Sequence, residues 1–244
     1  MIKTIEKYLK EHQIEEKVSL FYHKPSTDET FLYREDVMML AASTIKVPVV
    51  MAWMDLIRQN QVAYETRLEY GERHYEESDA KALYDTYNYG DKVSLKECME
   101  LAIVYSDNPS NHMMREYIKD YLGISFREWF AQFSEKTVNE EFYTRNLMNA
   151  GIMLNVMKRL YAHQEQYSLL ISWMKDAAKG KYIQSNHFDF EVAQKYGEYD
   201  RYEHTMAILY QEDPVLVGIF TELAGDRAKK VIQELSKIMA QEKG

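Results

Sequence analysis

A single cysteine, Cys98, is all the thiol this chain carries, so no internal disulfide can form and no CxxC pair exists to hold zinc. Structural metal is therefore not expected. The seven histidines are scattered without a spaced pair suited to a metal, and His112 and His187 are read as structural or surface residues. Basic runs are missing too: the net charge of -9 is spread along the chain, which excludes a nucleic-acid surface or an electrostatic membrane anchor as the basis of function. A small or polar neutral partner is expected instead. No apolar run reaches the length of a membrane span. The opening "MIKTIEKYLKEHQ" has a charge every second or third residue, unlike the uninterrupted apolar core of a signal peptide. If the chain is complete it is expected in the cytoplasm, and if a leader has been removed, outside it. Glycine and proline are few, nine and four, and form no linker, so one domain without repeats or low-complexity segments is expected.

With 46% hydrophobic and 28% charged residues, a chain of 244 can bury a sizeable core. Ile2, Ile5 and Leu9 recur at helical spacing and predict an amphipathic N-terminal helix. "VSLFYH" and "ETFLYRED" are rich in β-branched and aromatic residues, and the "KPSTD" between them predicts a hairpin turn. From about residue 43 to 178 the pattern is helical and no strand signal interrupts it. Strands return in "FDFEVAQKYG", "HTMAILYQ" and "VLVGIFTE". A last helix presents Ala228, Val231, Ile232, Leu235, Ile238 and Met239 on one face. The fold class expected is therefore α/β (α+β). An antiparallel sheet drawn from about residues 1–40 and 181–244 is flanked by the terminal helices, and about 41–180 form an inserted all-helical lobe. A cleft between the two parts is the natural site.

"AASTIKVPVV" places Ser43 and Lys46 three positions apart at the head of an apolar helix. Residues i and i+3 share a face, with Cβ atoms roughly 5 to 6 Å apart, so the two side chains can meet. A lysine whose pKa is lowered by burial or by another cation can take the serine's proton. The same spacing recurs at Ser78 with Lys81 and at Ser172 with Lys175, both in polar or amphipathic surroundings and read as surface coincidences. Taken alone, Ser43 is better explained as a helix N-cap. Two further triplets, each occurring once, distinguish it: Ser106-Asp107-Asn108 after an apolar helix, and Lys195-Tyr196-Gly197 in a predicted strand. The glycine there lets a ligand lie against the sheet edge. Asp107 and Asn108 before Pro109 also suit the turn into a helix, and Lys195 also suits a strand-edge charge.

Ser-x-x-Lys, Ser-Asp-Asn and Lys-x-Gly, in that order, resemble the motif set of class A β-lactamases and penicillin-binding proteins. The order of strands, helical part and closing strands agrees over nearly the whole chain. The resemblance implies acyl-serine chemistry on a β-lactam or peptide-like amide, without a cofactor, in a protein expected to be a monomer. It implies Ser43 as nucleophile, Lys46 as the group that helps deprotonate it, and Ser106 as proton donor to the leaving nitrogen. Asn108 would orient the substrate amide and Lys195 would hold an anionic group. Gly197 would let the substrate approach, and the main-chain N–H groups of Ser43 and Glu198 would form the oxyanion hole. Tyr105 is expected to line the site.

Two departures qualify the resemblance. Where the family has threonine or serine between the lysine and the glycine, this chain has Tyr196, whose hydroxyl lies several ångströms further from the backbone; carboxylate recognition is expected to be altered or lost. The loop that bears the family's deacylating glutamate is missing: "SEKTVNEEFYTRNLMNAG" leaves Glu140 and Glu141 only a few residues before Thr144. Glu141 is read either as a replacement base or as a solvated acid at a helix start. Without a base, acylation proceeds while release of the acyl group is slow. A penicillin-binding or acyl-transferring enzyme, and a catalytically weakened ligand-binding module, are the alternatives to a hydrolase.

Overall fold

The computed structural model of the chain describes residues 1–241. Helix α1 (Ile2–Glu11) leads into strands β1 (Val18–Lys24) and β2 (Glu29–Tyr33), joined by the expected turn, and the short β3 (Met39–Leu40) follows. A 3-10 turn (Ala42–Ile45) runs straight into α2 (Lys46–Arg58). Then come β4 (Arg67–Glu69), α3 (Ala82–Thr86), β5 (Lys92–Ser94), α4 (Leu95–Val104) and α5 (Asn108–Leu122). They are followed by α6 (Phe126–Ala131), α7 (Glu140–Thr144), β6 (Leu147–Met148), α8 (Ala150–Ala162) and α9 (Ser168–Asp176). The chain returns to strands in β7 (Val192–Tyr199), β8 (Tyr202–Leu209) and β9 (Val215–Thr221), and α10 (Gly225–Ala240) closes it.

Both ends of the chain supply the main sheet, an antiparallel array in the order β2-β1-β9-β8-β7. Its strands are covered on both faces, which the period-two alternation of side chains makes explicit. Val18, Leu20 and Tyr22 of β1, with Val215, Val217 and Ile219 of β9, pack on the side of α1 and α10. Phe21, Leu216 and Phe220 point the other way, into the core built by the central helices. Helix α2 is buried from Lys46 to Leu56. A helix apolar all round is one that other elements enclose, and its first residue, a lysine, is enclosed with it.

The helical region differs from the sequence expectation in one respect. It contains two short antiparallel ladders, β3 with β6 and β4 with β5. Strands of two or three residues are too short to produce an alternation, so no pattern announces them. The β3–β6 ladder is close to the site, because it ends just before the 3-10 turn. A buried network also ties the central helices together. Asp55 of α2 accepts hydrogen bonds from Arg159 of α8, from Tyr167 Oη at 2.7 Å and from Gln166 Nε2 at 2.7 Å. Removing the carboxylate leaves a half-buried guanidinium without its counter-charge, so Asp55→Ala is expected to cost about 3 kcal/mol. Urea unfolding reads this directly as a lowered midpoint at unchanged slope.

Candidate active site

Three chain segments converge at one edge of the sheet. The 3-10 turn carries Ser43, the turn into α5 carries Ser106 to Asn108, and the edge strand β7 carries Lys195 to Glu198. Local chemistry fixes each of them. Asp107 caps α5, its carboxylate accepting from Ser110 N at 2.7 Å and from Leu83 N at 2.9 Å, which is the turn-holding role read for it. Ser106 sits at φ 58°, in the left-handed region that a serine seldom adopts, at a cost of order 1 kcal/mol. That conformation turns both its carbonyl and its hydroxyl toward Lys46. Neutral His204 of β8 donates from Nε2 to Leu40 O at 2.7 Å and accepts from Thr221 N at Nδ1, fastening the segment before the Ser43 turn to the sheet. Burial pushes the His204 imidazole down to about 4, so it remains neutral at physiological pH.

Lys46 is the hub. Its Nζ lies 2.8 Å from Ser43 Oγ, 2.5 Å from Ser106 O, 2.7 Å from Asn108 Oδ1 and 3.4 Å from Ser106 Oγ. Lys195 Nζ donates to Ser106 Oγ at 2.9 Å, so a chain of contacts runs from Ser43 through Lys46 and Ser106 to Lys195. Both lysines are buried, and burial dominates their chemistry. It lowers Lys46 to about 7 against the opposing pull of Asp107 and Glu76. Lys195 is pushed well below the ordinary lysine value by burial and then by the charge of Lys46. Two ammonium groups this close in a dry site cannot both stay charged cheaply.

Gly197 is required by geometry. A Cβ there would lie 2.7 Å from Ser43 N and 2.9 Å from Thr44 N, closer than backbone atoms tolerate. The strand therefore touches the turn bearing Ser43 through a bare backbone, bringing Gly197 against the main-chain nitrogens of Ser43 and Thr44. The Glu198 carboxylate turns away, accepting from Tyr182 Oη and lying 3.6 Å from Lys229 Nζ.

A cleft of about 440 Å³ opens over Ser43 and Lys46 and runs past Asn108, Asn111, His112 and Arg115 on one side and Asn146, Glu198 and Tyr199 on the other. Ser106 and Lys195 lie behind its wall, buried. Tyr105 is 59% exposed and is not among the residues that line this cleft. Tyr196 does not line it either: its ring stacks on Tyr182 at 4.9 Å and lies 4.2 Å from Lys195 Nζ. Glu140 and Glu141 are exposed on α7, and Glu141 pairs with Arg145 at 3.2 Å instead of facing the serine. Of the two other Ser-x-x-Lys spacings, Ser172 is a surface residue, as read. Ser78 is not: its hydroxyl accepts from Asn108 Nδ2 at 3.3 Å and so supports the site. A depression of about 500 Å³ elsewhere holds the exposed pair Asp36–Lys136 and none of the residues singled out by the motifs.

Sequence reading passed over Asn111, Asn146 and Arg115, and placed His112 on the surface or in the framework. One signal was available. Asn108, Asn111, His112 and Arg115 stand at i, i+3, i+4 and i+7, a polar stripe along one face of α5. Among the described residues there is no group of three or more His, Cys, Asp or Glu side chains that could hold a metal ion, and no helix is long and apolar enough to cross a membrane.

Comparison with solved structures gives the fold class. PBP-A superposes with a TM-score of 0.78 at 16% identity, covering 92% of this chain and 88% of that one. A mutant of PBP-A solved as an acyl-enzyme complex with penicillin G gives 0.79 at 16% identity, with coverage of 92% and 89%. The class A β-lactamase of the last common ancestor of Gram-negative bacteria gives 0.80 at 18% identity, covering 98% of this chain and 97% of that one. The fold is thus that of the class A β-lactamases and PBP-A. The sequence also matches the model of the β-lactamase enzyme family over residues 1–242, and the chain belongs to that family. Comparison with curated proteins found no match.

Proposed function

We propose that the protein is a serine acyl-transfer enzyme that attacks a β-lactam or related amide with Ser43 and releases the acyl group slowly. The observation that carries this reading is the hydrogen-bonding of Lys46. Two of its partners, the Ser106 carbonyl and Asn108 Oδ1, can only accept. A neutral amine has two N–H groups for them and one lone pair left, and the remaining close partner is the Ser43 hydroxyl at 2.8 Å. The Ser43 O–H then donates to Lys46, which takes the proton as Oγ attacks the carbonyl carbon. Ser106, hydrogen-bonded to Lys195 and within reach of Lys46, relays that proton to the departing nitrogen as the C–N bond breaks. The N–H groups of Ser43 and Glu198 stabilise the oxyanion.

Slow release follows from the carboxylates. Among the described residues lining the cleft, the carboxylates are Glu76, whose oxygen lies 3.2 Å from His112 Nε2, and Glu198, turned toward Tyr182 and Lys229. Among the described residues neither is hydrogen-bonded to Ser43 or Lys46, which supports slow activation of water there. Intact-mass spectrometry of the protein with excess benzylpenicillin is expected to show one penicilloyl group added and persisting, mapped to Ser43 and absent in Ser43→Ala. Labelling that survives Ser43→Ala overturns the nucleophile assignment, and rapid consumption of penicillin without an adduct overturns slow release.

A further inference from the structure

The cleft does not end at the reacting serine. Past Asn108 it continues along α5 to Arg115, roughly 10 Å further by the rise of seven helical residues, and side chains on a helix lean back toward its N-terminus. Arg115 is half-buried, and among the described residues it has no hydrogen bond or ion pair; it lies over the face of Phe126, 5.9 Å from the ring centroid. Behind it stands Arg127, 4% exposed. Two of its nitrogens donate to Phe142 O at 2.7 Å and Leu147 O at 2.8 Å, while Nη1 is buried without a partner. Arg115 and Arg127 meet again as the lining of a second, adjoining pocket with His112.

Of the other charges here, Glu116 pairs with Arg73 and Arg145 with Glu141, while Glu76 lies 3.2 Å from His112 Nε2, which balances it only when protonated. Arg115, with no ion pair, and Arg127 behind it, held 4.0 Å over the Phe142 ring and likewise without one, put two cationic groups at this end of an otherwise acidic protein. A third observation points to a ligand: the side-chain oxygens of Asn111 and Asn146, both lining the cleft, are buried with no hydrogen-bond partner. Both are acceptors, so they call for a hydrogen-bond donor on the occupant, such as an amide N–H, beside the anionic group that the arginines take. Burial lowers both arginines, Arg127 to about 10, which measures how unfavourable their uncompensated charge is.

We propose that this end of the cleft is an anion subsite, and that the natural acyl donor carries a carboxylate on its acyl side which pairs with Arg115. The inference rests on the reading of Ser43 as the nucleophile. It inverts the polarity expected from the motifs, which place substrate charge at the Lys-x-Gly strand. In this chain Tyr196 is folded over Lys195 and offers the cleft no hydroxyl, whereas Arg115 lines it, and a guanidinium is the group best suited to pair with a carboxylate.

Ser43→Ala protein, which cannot be acylated, allows the subsite to be tested by binding alone. Calorimetric titration with the mono-N-propylamide of adipic acid and with N-propylhexanamide compares ligands of equal length that differ in the terminal carboxylate. The acid is expected to bind about tenfold more tightly at low salt, the worth of one charge-assisted hydrogen bond in a partly dry site. That preference is expected to shrink in high salt, to disappear in Arg115→Gln and to persist in part in Arg115→Lys. Failure of the acid to bind better than the amide, or a preference that survives Arg115→Gln in folded protein, overturns the subsite. If Arg115→Gln does not fold, the salt dependence and Arg115→Lys decide. Failure of the nucleophile reading would show separately, as absent penicilloyl labelling of the unsubstituted enzyme.

Discussion

Replacing Lys46 by methionine is expected to lower the rate of Ser43 acylation by about 10²- to 10⁴-fold, the range for loss of a positioned general base. Lys46 is the one basic side chain within hydrogen-bonding reach of Ser43 Oγ among the described residues, so no neighbour substitutes for it. The pH profile separates this role from mere packing. With its folded-state value lowered to about 7, the amine is protonated and useless as a base in acid, and becomes available as pH rises. Acylation by the unsubstituted enzyme is expected to climb through pH 7 and level off a unit above it, while the residual rate of Lys46→Met has no inflection there. Stopped-flow or quenched mass measurements with benzylpenicillin give both curves, and an inflection near 7 that persists in Lys46→Met would remove Lys46 from the base role.

The same lysine makes a thermodynamic statement of definite sign. The unfolded chain holds this proton up to the ordinary lysine range, whereas the folded protein gives it up near 7. Between those values the unfolded state binds more protons, so this group's contribution to stability rises with pH across that window. Below pH 7 its full penalty is present, because the charge must then be carried in a buried site. Lys46→Met removes the penalty, and its stability relative to the parent is expected to be greatest in acid. A catalytic amine kept at the cost of stability is a common trade at such sites.

The sequence made the fold legible where patterns are long. The alternations in β1, β8 and β9 and the helical face of α10 place the sheet and its outer helices, and the three motifs locate the residues that the structure brings around Lys46. What it left unread has physical reasons. Ladders of two or three residues carry no periodicity. Tyr196, adjacent to Lys195 in sequence, occupies neither of the places a reading of the strand suggests, since its ring is captured by Tyr182 and the ammonium. Tyr105 precedes the site serine in sequence, yet the left-handed backbone at Ser106 sends the chain inward and leaves the tyrosine outside. The α5 stripe was visible as spacing, but whether it faced solvent or a cleft depended on tertiary packing, which brings Asn111, His112 and Arg115 into the lining of the cleft over Ser43.

Gly197→Ala is expected to slow acylation by at least about 10²-fold, with the protein still folded at a stability lowered by about 1–3 kcal/mol. The added methyl would sit 2.7 Å from Ser43 N and 3.1 Å from Ala42 Cβ, and since the nearest atoms are backbone, strand and turn must part. An edge strand can shift by a few tenths of an ångström at a cost of about 1–3 kcal/mol, the range for overpacking. The oxyanion hole cannot absorb such a shift, because its two donors belong to the two segments being separated, and loss of one donor alone costs about 10²- to 10³-fold. A single cooperative melting transition, lowered by roughly 2–12 °C, with penicilloyl labelling slowed at least that far, supports oxyanion donors at this contact; labelling at the parental rate would mean that the strand and the Ser43 turn do not act together.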